Sequence, residues 1–347
     1  MPKQSLRWVN LGFQFGAIGM ALVFTTFILI LAGAPPLEAY RQIVIGSIGS
    51  LLKISDVLVA WVPLLLATTG LLVTFSAGMW NIGIEGQITL GAIFTTWALR
   101  LLQNSSIAPT VSIILAIIAG IVGGALWASL AGLLKTFGGV NEIFTGLGLN
   151  FVSTALTIWL IFGPWKRPGV GSMSGTEPFP EILWLPKLAG YRLSPVALIL
   201  GIVAIVLIYL ILQGTYFGLK LKAVGKNLRA AFFLGIPTWQ YMMVAFILCG
   251  MLAGLAGSVQ VVSVYHRLIT SISSGYGFLG LMVAMLVSYQ ALWVVPVTLF
   301  FAAINIGSIQ LPIVLKLDSS IGGVLQGSLV LFVLIVDGMR RRLVEKS

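Results

Sequence analysis

Reactive side chains are nearly missing from this sequence. One cysteine, Cys249, and one histidine, His266, occur in 347 residues. That count excludes an intrachain disulfide and a cysteine-rich metal site, and it leaves no pair for the Cys–His or His–His arrangements on which nucleophilic and metal-dependent enzymes rely. Cys249 lies in an apolar run, and His266, beside Arg267 at the outer end of that run, reads as an interfacial polar residue. Charge is also scarce: Asp, Glu, Lys and Arg make up 8% of the chain, with nine acids against twenty bases. No GxxxxGK[ST] loop is present, because Lys135-Thr136 lacks the preceding glycine and Gly225-Lys226 runs on into Asn227. The chain is therefore expected to hold no ATP and no cofactor of its own, and to draw its energy from elsewhere.

What is abundant is apolar sequence. With 59% hydrophobic residues and a mean hydropathy of +1.07, the chain has too few polar side chains to cover a water-soluble globule and must be solvated by lipid. A span takes roughly 20 apolar residues, and long runs without alternation are helices. The expected fold is all-α, a polytopic membrane protein forming a single transmembrane domain over 1–347. It has about ten spans: Leu11 to Leu31, Val57 to Phe75, Ile88 to Leu102, Val111 to Leu134, Ile143 to Phe162, Pro195 to Leu212, Tyr241 to Val262, Phe278 to Tyr289, Leu292 to Ile309 and Ile321 to Val336. The third and eighth are short, as broken or re-entrant helices are. The first run is too long for a signal peptide, despite Ala32-Gly33-Ala34, and reads as an uncleaved anchor. An even number of spans puts both ends on one side. Lys3 and Arg7 before the first span and Arg340, Arg341, Arg342 and Lys346 after the last mark that side as cytoplasmic. The net charge of +11 then reflects topology and anionic lipid, and there is no soluble basic domain to host nucleic acid.

Three polar stretches interrupt the apolar pattern. Leu219 to Pro237, within a cytoplasmic loop over 214–240, carries Lys220, Lys222, Lys226 and Arg229 and no acid. Asn227 is placed to cap a helix of roughly two turns in which Leu228, Ala231 and Phe232 share a face, closed by Gly235 and Pro237. So short a helix needs something to pack on, and both an interfacial helix with snorkelling lysines and a docking helix fit it. Ser76 to Gly91 contains Asn81, Glu85 and Gln87, which are costly in lipid. If the stretch is helical, Asn81 and Glu85 share a face. The group lines a solute path or ties the fold together. Gly138 to Asn150 holds Asn141 as an N-cap, Glu142 in the first turn and Asn150 deeper, where it should bond across helices or face the path. An outer loop, 163–193, rich in Pro and Gly and bearing Trp165, Trp184 and Tyr191, folds over the outer face or anchors at the interface.

Taken in order, MWNIGIEGQ (Met79 to Gln87), GVNEIFTGLGLN (Gly139 to Asn150), AVGKNLRAAFFLGIP (Ala223 to Pro237), GMLAGLAG (Gly250 to Gly257) and SGYGFLGLMVAML (Ser274 to Leu286) resemble the permease subunits of bacterial ATP-binding-cassette (ABC) importers. The branch is the one that moves simple sugars and nucleosides and includes branched-chain amino acid permeases. The resemblance runs from about Val57 to Arg342 and implies a type II importer-like fold in the bacterial plasma membrane. It makes Gly225, Asn227, Arg229, Ala230, Ala231 and Gly235 the coupling segment, with Arg229 where more distant importers carry a Glu. It implies a second permease subunit, the same or a sister chain, cytoplasmic ATP-binding subunits that carry the ATP and Mg, and an extracytoplasmic binding protein or lipoprotein that delivers the solute. The solute expected is a nucleoside, with simple sugars and branched-chain amino acids as alternatives, and Asn81, Glu85, Gln87 and Asn150 border its path. From a different class, an ion-gradient-driven secondary transporter would use Glu85 and Glu142 as ion sites.

Overall fold

The structure is a computed structural model that describes residues 16, 19–169, 175–287, 290–318 and 320–345. Outside the described residues lie Lys3, Arg7, the start of the first expected span, residues 170–174 of the outer loop, Tyr289 and Lys346; the side chains of Arg340, Arg341 and Arg342 are likewise not described. Among the described residues every regular element is helical.

The helices are α1 (Gly19–Leu31), then α2 (Pro36–Ile48), α3 (Leu51–Ser76), α4 (Ile84–Leu102), α5 (Pro109–Thr136) and α6 (Glu142–Phe162). After the outer loop come α7 (Pro195–Gly214), α8 (Tyr216–Lys226), α9 (Leu228–Phe233), α10 (Thr238–Val259), α11 (Tyr276–Leu286), α12 (Ala291–Ser308), α13 (Gln310–Leu315) and α14 (Ser320–Glu345). Each of the ten expected apolar runs falls on one of these helices, although ten is an approximate number of spans. Among the described residues six helical stretches are long and apolar enough to cross a membrane, and α1 and α2 form a further pair bent by 110°. α2 was not expected. Gly33 in the left-handed conformation (φ 72°) and two prolines, Pro35 and Pro36, turn the chain, and Glu38, Arg41 and Gln42 keep the second helix too polar to read as a span. α4 begins at Ile84 and has 19 residues, so the third run is longer than its apolar part. α11 has only 11 residues, as short as expected.

Two compact units result: residues up to Val57 together with those from Leu299 onward, and Leu58–Thr298. In the first, Leu29, Ile43, Ile304, Leu311 and Leu325 form the core. Thr25 Oγ1 and Ser328 Oγ share a buried hydrogen bond of 2.9 Å, and a Cβ on Gly46 or Gly307 would strike the facing backbone, so α2 and α12 touch main chain to main chain.

The second unit is organised around α4, which packs against α5, α6 and α10. Lipid offers no hydrophobic force between helices, so close backbone approach must hold them. Glycine makes the approach possible here: a Cβ on Gly254 of α10 would land on the Gly120 carbonyl of α5, and one on Gly124 would land on that of Gly250. Thr95 Oγ1 adds a buried hydrogen bond to Ser258 Oγ at 2.8 Å, tying α4 to α10. Lys135 pairs with Glu142 across the α5–α6 turn, and Asn141 caps α6 by accepting from the Ile143 N–H at 2.8 Å, as its sequence position implies.

The basic stretch is helical over most of its length. Thr215 caps α8 by accepting from Gly218 N–H at 3.1 Å, and Leu221 and Val224 are buried. Asn227 ends α8 and caps α9, accepting from Ala230 N–H at 3.0 Å, and Gly235 (φ 77°) terminates α9. Of the face shared by Leu228, Ala231 and Phe232, only Ala231 is packed inward. Ala231 alone of α9 is buried, while Phe232 and Phe233 point outward.

Candidate functional site

The site is built at the end of α3. Gly78 (φ 72°) closes that helix in a turn where the Gly78 N–H donates to Phe75 O (2.9 Å) and the Met79 N–H to Thr74 O (3.0 Å), a pairing that an L side chain at Gly78 would strain. The chain then enters the Met79–Gly83 loop, with Met79 and Asn81 buried. Asn81 and Gln87 donate to one another, Asn81 Nδ2 to Gln87 Oε1 at 3.0 Å and Gln87 Nε2 to Asn81 Oδ1 at 2.9 Å. Asn81 Nδ2 also reaches Cys249 Sγ in α10 at 3.0 Å. Asn81 precedes α4, so it does not share a helical face with Glu85. Its partner is Gln87, one turn further in, and a reciprocal amide pair is the arrangement that leaves a buried loop no unmet polar atoms.

Asn150 works on the same loop from α6. The first N–H groups of any helix lack internal partners, and Gly83, at the N-cap of α4, has no side chain to supply one. Asn150 Oδ1 accepts from Gly86 N–H at 2.8 Å and Asn150 Nδ2 donates to Ile82 O at 2.9 Å, so a neighbouring helix does the capping. Asn150→Ala would orphan both groups at about 1–3 kcal/mol for the site. The melting midpoint in detergent is expected to fall by several degrees, and an unchanged midpoint would contradict the strap.

Glu85 faces the other way, toward α11. Gly275 at the N-cap of α11 offers no cap, and Glu85 takes that part from α4. Its Oε2 accepts from Gly277 N–H at 2.8 Å and its Oε1 from Ser273 Oγ, with the Gly275 and Phe278 N–H groups also directed at the carboxylate. An anion at a helix N-terminus is favoured by the helix dipole as well as by the free donors. A Cβ on Gly277 would run into this carboxylate.

Sequence reasoning assigned no role to the partners of Glu85. Between α10 and α11 the chain passes through a π-helical turn, Gln260–Tyr265, and through two non-glycine residues in left-handed conformation, His266 (φ 57°) and Ser274 (φ 51°). Ser274 is held there by Tyr265 Oη at 2.9 Å and Gln260 Nε2 at 3.4 Å. π-Turns and strained residues of this kind gather at functional sites. The signal in the sequence was the run Ser273-Ser274-Gly275-Tyr276-Gly277, too small and polar for the middle of an apolar segment.

The outer loop folds over the far end of the same helix. Thr176, Phe179 and Leu185 donate their N–H groups to Leu268 O (2.9 Å), His266 O (2.8 Å) and Val262 O (2.9 Å). Trp184 stacks on His266 with ring centroids 3.7 Å apart, and Lys187 Nζ donates to His266 Nε2 at 2.8 Å. His266 is thus buried, because the aromatic ring that covers it comes from the loop. Burial first, and then the Lys187 ammonium, push its imidazole down to about 4. A base depressed in the folded state is neutral there while the unfolded chain still binds protons, so the strap is at full strength above about pH 6.5 and weakens as the pH falls toward 4. The protection factor of the Leu185 amide, its exchange measured against the unstructured rate at the same pH, should fall over that range in the native chain and not in His266→Gln. Equal pH dependence in both would contradict the assignment.

Residues 53–334 match the family described as branched-chain amino acid transport system / permease component. The chain belongs to this family. It is similar to the glucose ABC transporter permease protein TsgB13 of Haloferax volcanii, with 29% identity over 98% of this chain and 91% of the relative. It is also similar to the nucleoside ABC transporter permease protein NupB of Lactococcus lactis subsp. cremoris (27%, over 86% and 81%) and to the guanosine ABC transporter permease protein NupP of Bacillus subtilis (24%, over 91% of each). The chain is accordingly a multi-pass ABC importer permease, a transport subunit and not an enzyme. The polar cluster joins the loop before α4 and α4 itself to α6, α10 and α11. Of the four residues expected to border the path, Asn81, Gln87 and Asn150 are drawn together around one loop, and Glu85 is turned to α11.

Proposed function

We propose that this permease moves a nucleoside inward across the plasma membrane, powered by cytoplasmic ATP-binding subunits that dock on α9. One observation carries the reading of α9: a six-residue helix in a basic, acid-free segment leaves Phe232, Phe233 and Leu234 65%, 85% and 79% exposed. Apolar side chains in such number on so short a helix call for a partner surface. Asn227, Ala230 and Gly235 shape the helix, and Arg229 is suited to a carboxylate on the partner. ATP and Mg belong to those subunits, and this chain holds no cofactor.

α9 and the outer strap lie at opposite ends of the 28-residue helical stretch Thr238–Tyr265, about 42 Å apart at 1.5 Å per residue. That supports a cytoplasmic α9 and an extracytoplasmic loop on which a solute-binding protein or lipoprotein docks; the basic residues near both ends of the sequence favour cytoplasmic termini. A second permease subunit, identical or a sister chain, completes the path. Within it, Asn81, Gln87 and Asn150 hold the wall, and Glu85 with Ser273, Ser274 and Tyr265 forms the element that opens.

A nucleoside is favoured over a sugar on two grounds. Two of the relatives are named for nucleosides and guanosine, and a path built of amides and hydroxyls with one carboxylate suits a neutral, hydrogen-bonding solute. Uptake of radiolabelled guanosine by vesicles holding the assembled complex is expected to be displaced by excess uridine or inosine and not by glucose. Displacement by glucose alone would make the solute a sugar.

A further inference from the structure

Gly225 lies in α8, not in the helix that presents Phe233, and it looks inward. A Cβ at Gly225 would overlap the Ser76 carbonyl and stand 2.8 Å from the Gly78 nitrogen and 2.9 Å from the Ala77 carbonyl carbon. Seen from the other side, a Cβ at Gly78 would stand 2.8 Å from Gly225 O and 3.0 Å from Gly225 Cα. The two main chains are therefore in direct contact, with no side chain between them to absorb a displacement.

On one side of this contact, α8 and α9 share a single residue, Asn227, whose N–H donates to Ala223 O of α8 at 3.1 Å and whose side chain caps α9. On the other side, Gly78 is followed within three residues by Asn81, which is buried and locked to Gln87 and Cys249. Glu85, seven positions on from Gly78, holds the start of α11. The residues along this route, Asn227, Asn81 and Glu85, are each held by a side-chain hydrogen bond. Packed contacts of this sort switch between discrete arrangements and do not stretch.

We propose that the Gly78–Gly225 backbone contact is the joint through which movement of α9 reaches the Asn81–Gln87 loop and, through Glu85, the start of α11. Gly78 and Gly225 are then positioning residues for transport. The inference rests on the reading of α9 as the docking helix and specifies how docking is relayed.

The test is the ratio of solute taken up to ATP hydrolysed, measured in the same liposomes holding this chain with its ATPase and sister subunits. Gly225→Ala wedges the joint and is expected to lower that ratio about tenfold or more, the size of a typical coupling energy, while the ATPase still copurifies and ATP is still consumed. A merely structural defect would lower uptake and hydrolysis together and leave the ratio unchanged. Because Gly225→Ala can prevent folding, a second variant inserts one glycine between Asn227 and Leu228, adding slack outside the packed contact, and it should show the same fall. An unchanged ratio in either variant that assembles overturns the joint. Loss of ATPase association in the unaltered chain would instead remove the docking reading itself.

Discussion

Complexes carrying Glu85→Gln are expected to assemble at normal yield and to lose about 10- to 100-fold of their uptake, the kinetic equivalent of about 1–3 kcal/mol for buried donors that lose a charged acceptor. The carboxylate of Glu85 is acceptor-only and meets N–H and O–H donors from Ser273 and Gly277. An amide keeps one acceptor oxygen for the Gly277 N–H and turns an NH₂ group toward Ser273, whose hydroxyl must then rotate to accept, so both bonds lose their charged acceptor. The side chain keeps its volume, which limits damage to packing. The start of α11 is irregular, with Ser274 and Gly275 both left-handed, and uncoupling it from α4 should affect movement more than assembly. Normal uptake by Glu85→Gln would reduce Glu85 to a fold-holding group.

The second large effect belongs to α9. Phe233→Asp should leave the permease folded and abolish copurification of the ATPase. A ring that is 85% exposed adds little to the stability of its own chain, whereas an aromatic anchor at the centre of an interface commonly contributes about 2–4 kcal/mol, roughly 30- to 1,000-fold in affinity. Gly235→Glu should act in the same direction by a different route. It places a charge beside the docking tip and forces an L residue to a φ of 77°, a conformation that costs about 1–2 kcal/mol. Retained copurification in Phe233→Asp would leave α9 as an interfacial helix lying on lipid.

Much of this is legible from local chemistry in the sequence. Asn227 and Gly235 bracket α9, Asn141 caps α6, and long apolar runs become helices because lipid permits little else. Pairings across the fold were not legible. The donor to Glu85 comes from a residue 188 positions away, and no periodicity announces it. Asn81 was matched with Glu85 on the assumption that one helix carries both, but a glycine-closed turn at Gly78 and an irregular loop put Asn81 outside α4 and against Gln87. The burial of His266 is not legible either, because Trp184, the ring that covers it, lies in a loop whose path the sequence does not specify. α2 escaped notice because its polar first turn hides a helix set off by Gly33 and two prolines.

The most direct measurement is solute uptake into liposomes containing this permease with and without its ATPase subunits. Uptake is predicted to require the ATPase and ATP inside the complex and to be indifferent to imposed proton or sodium gradients. Concentrative uptake by the permease alone, driven by either gradient, would contradict the central claim that this chain is a conduit worked by a separate motor.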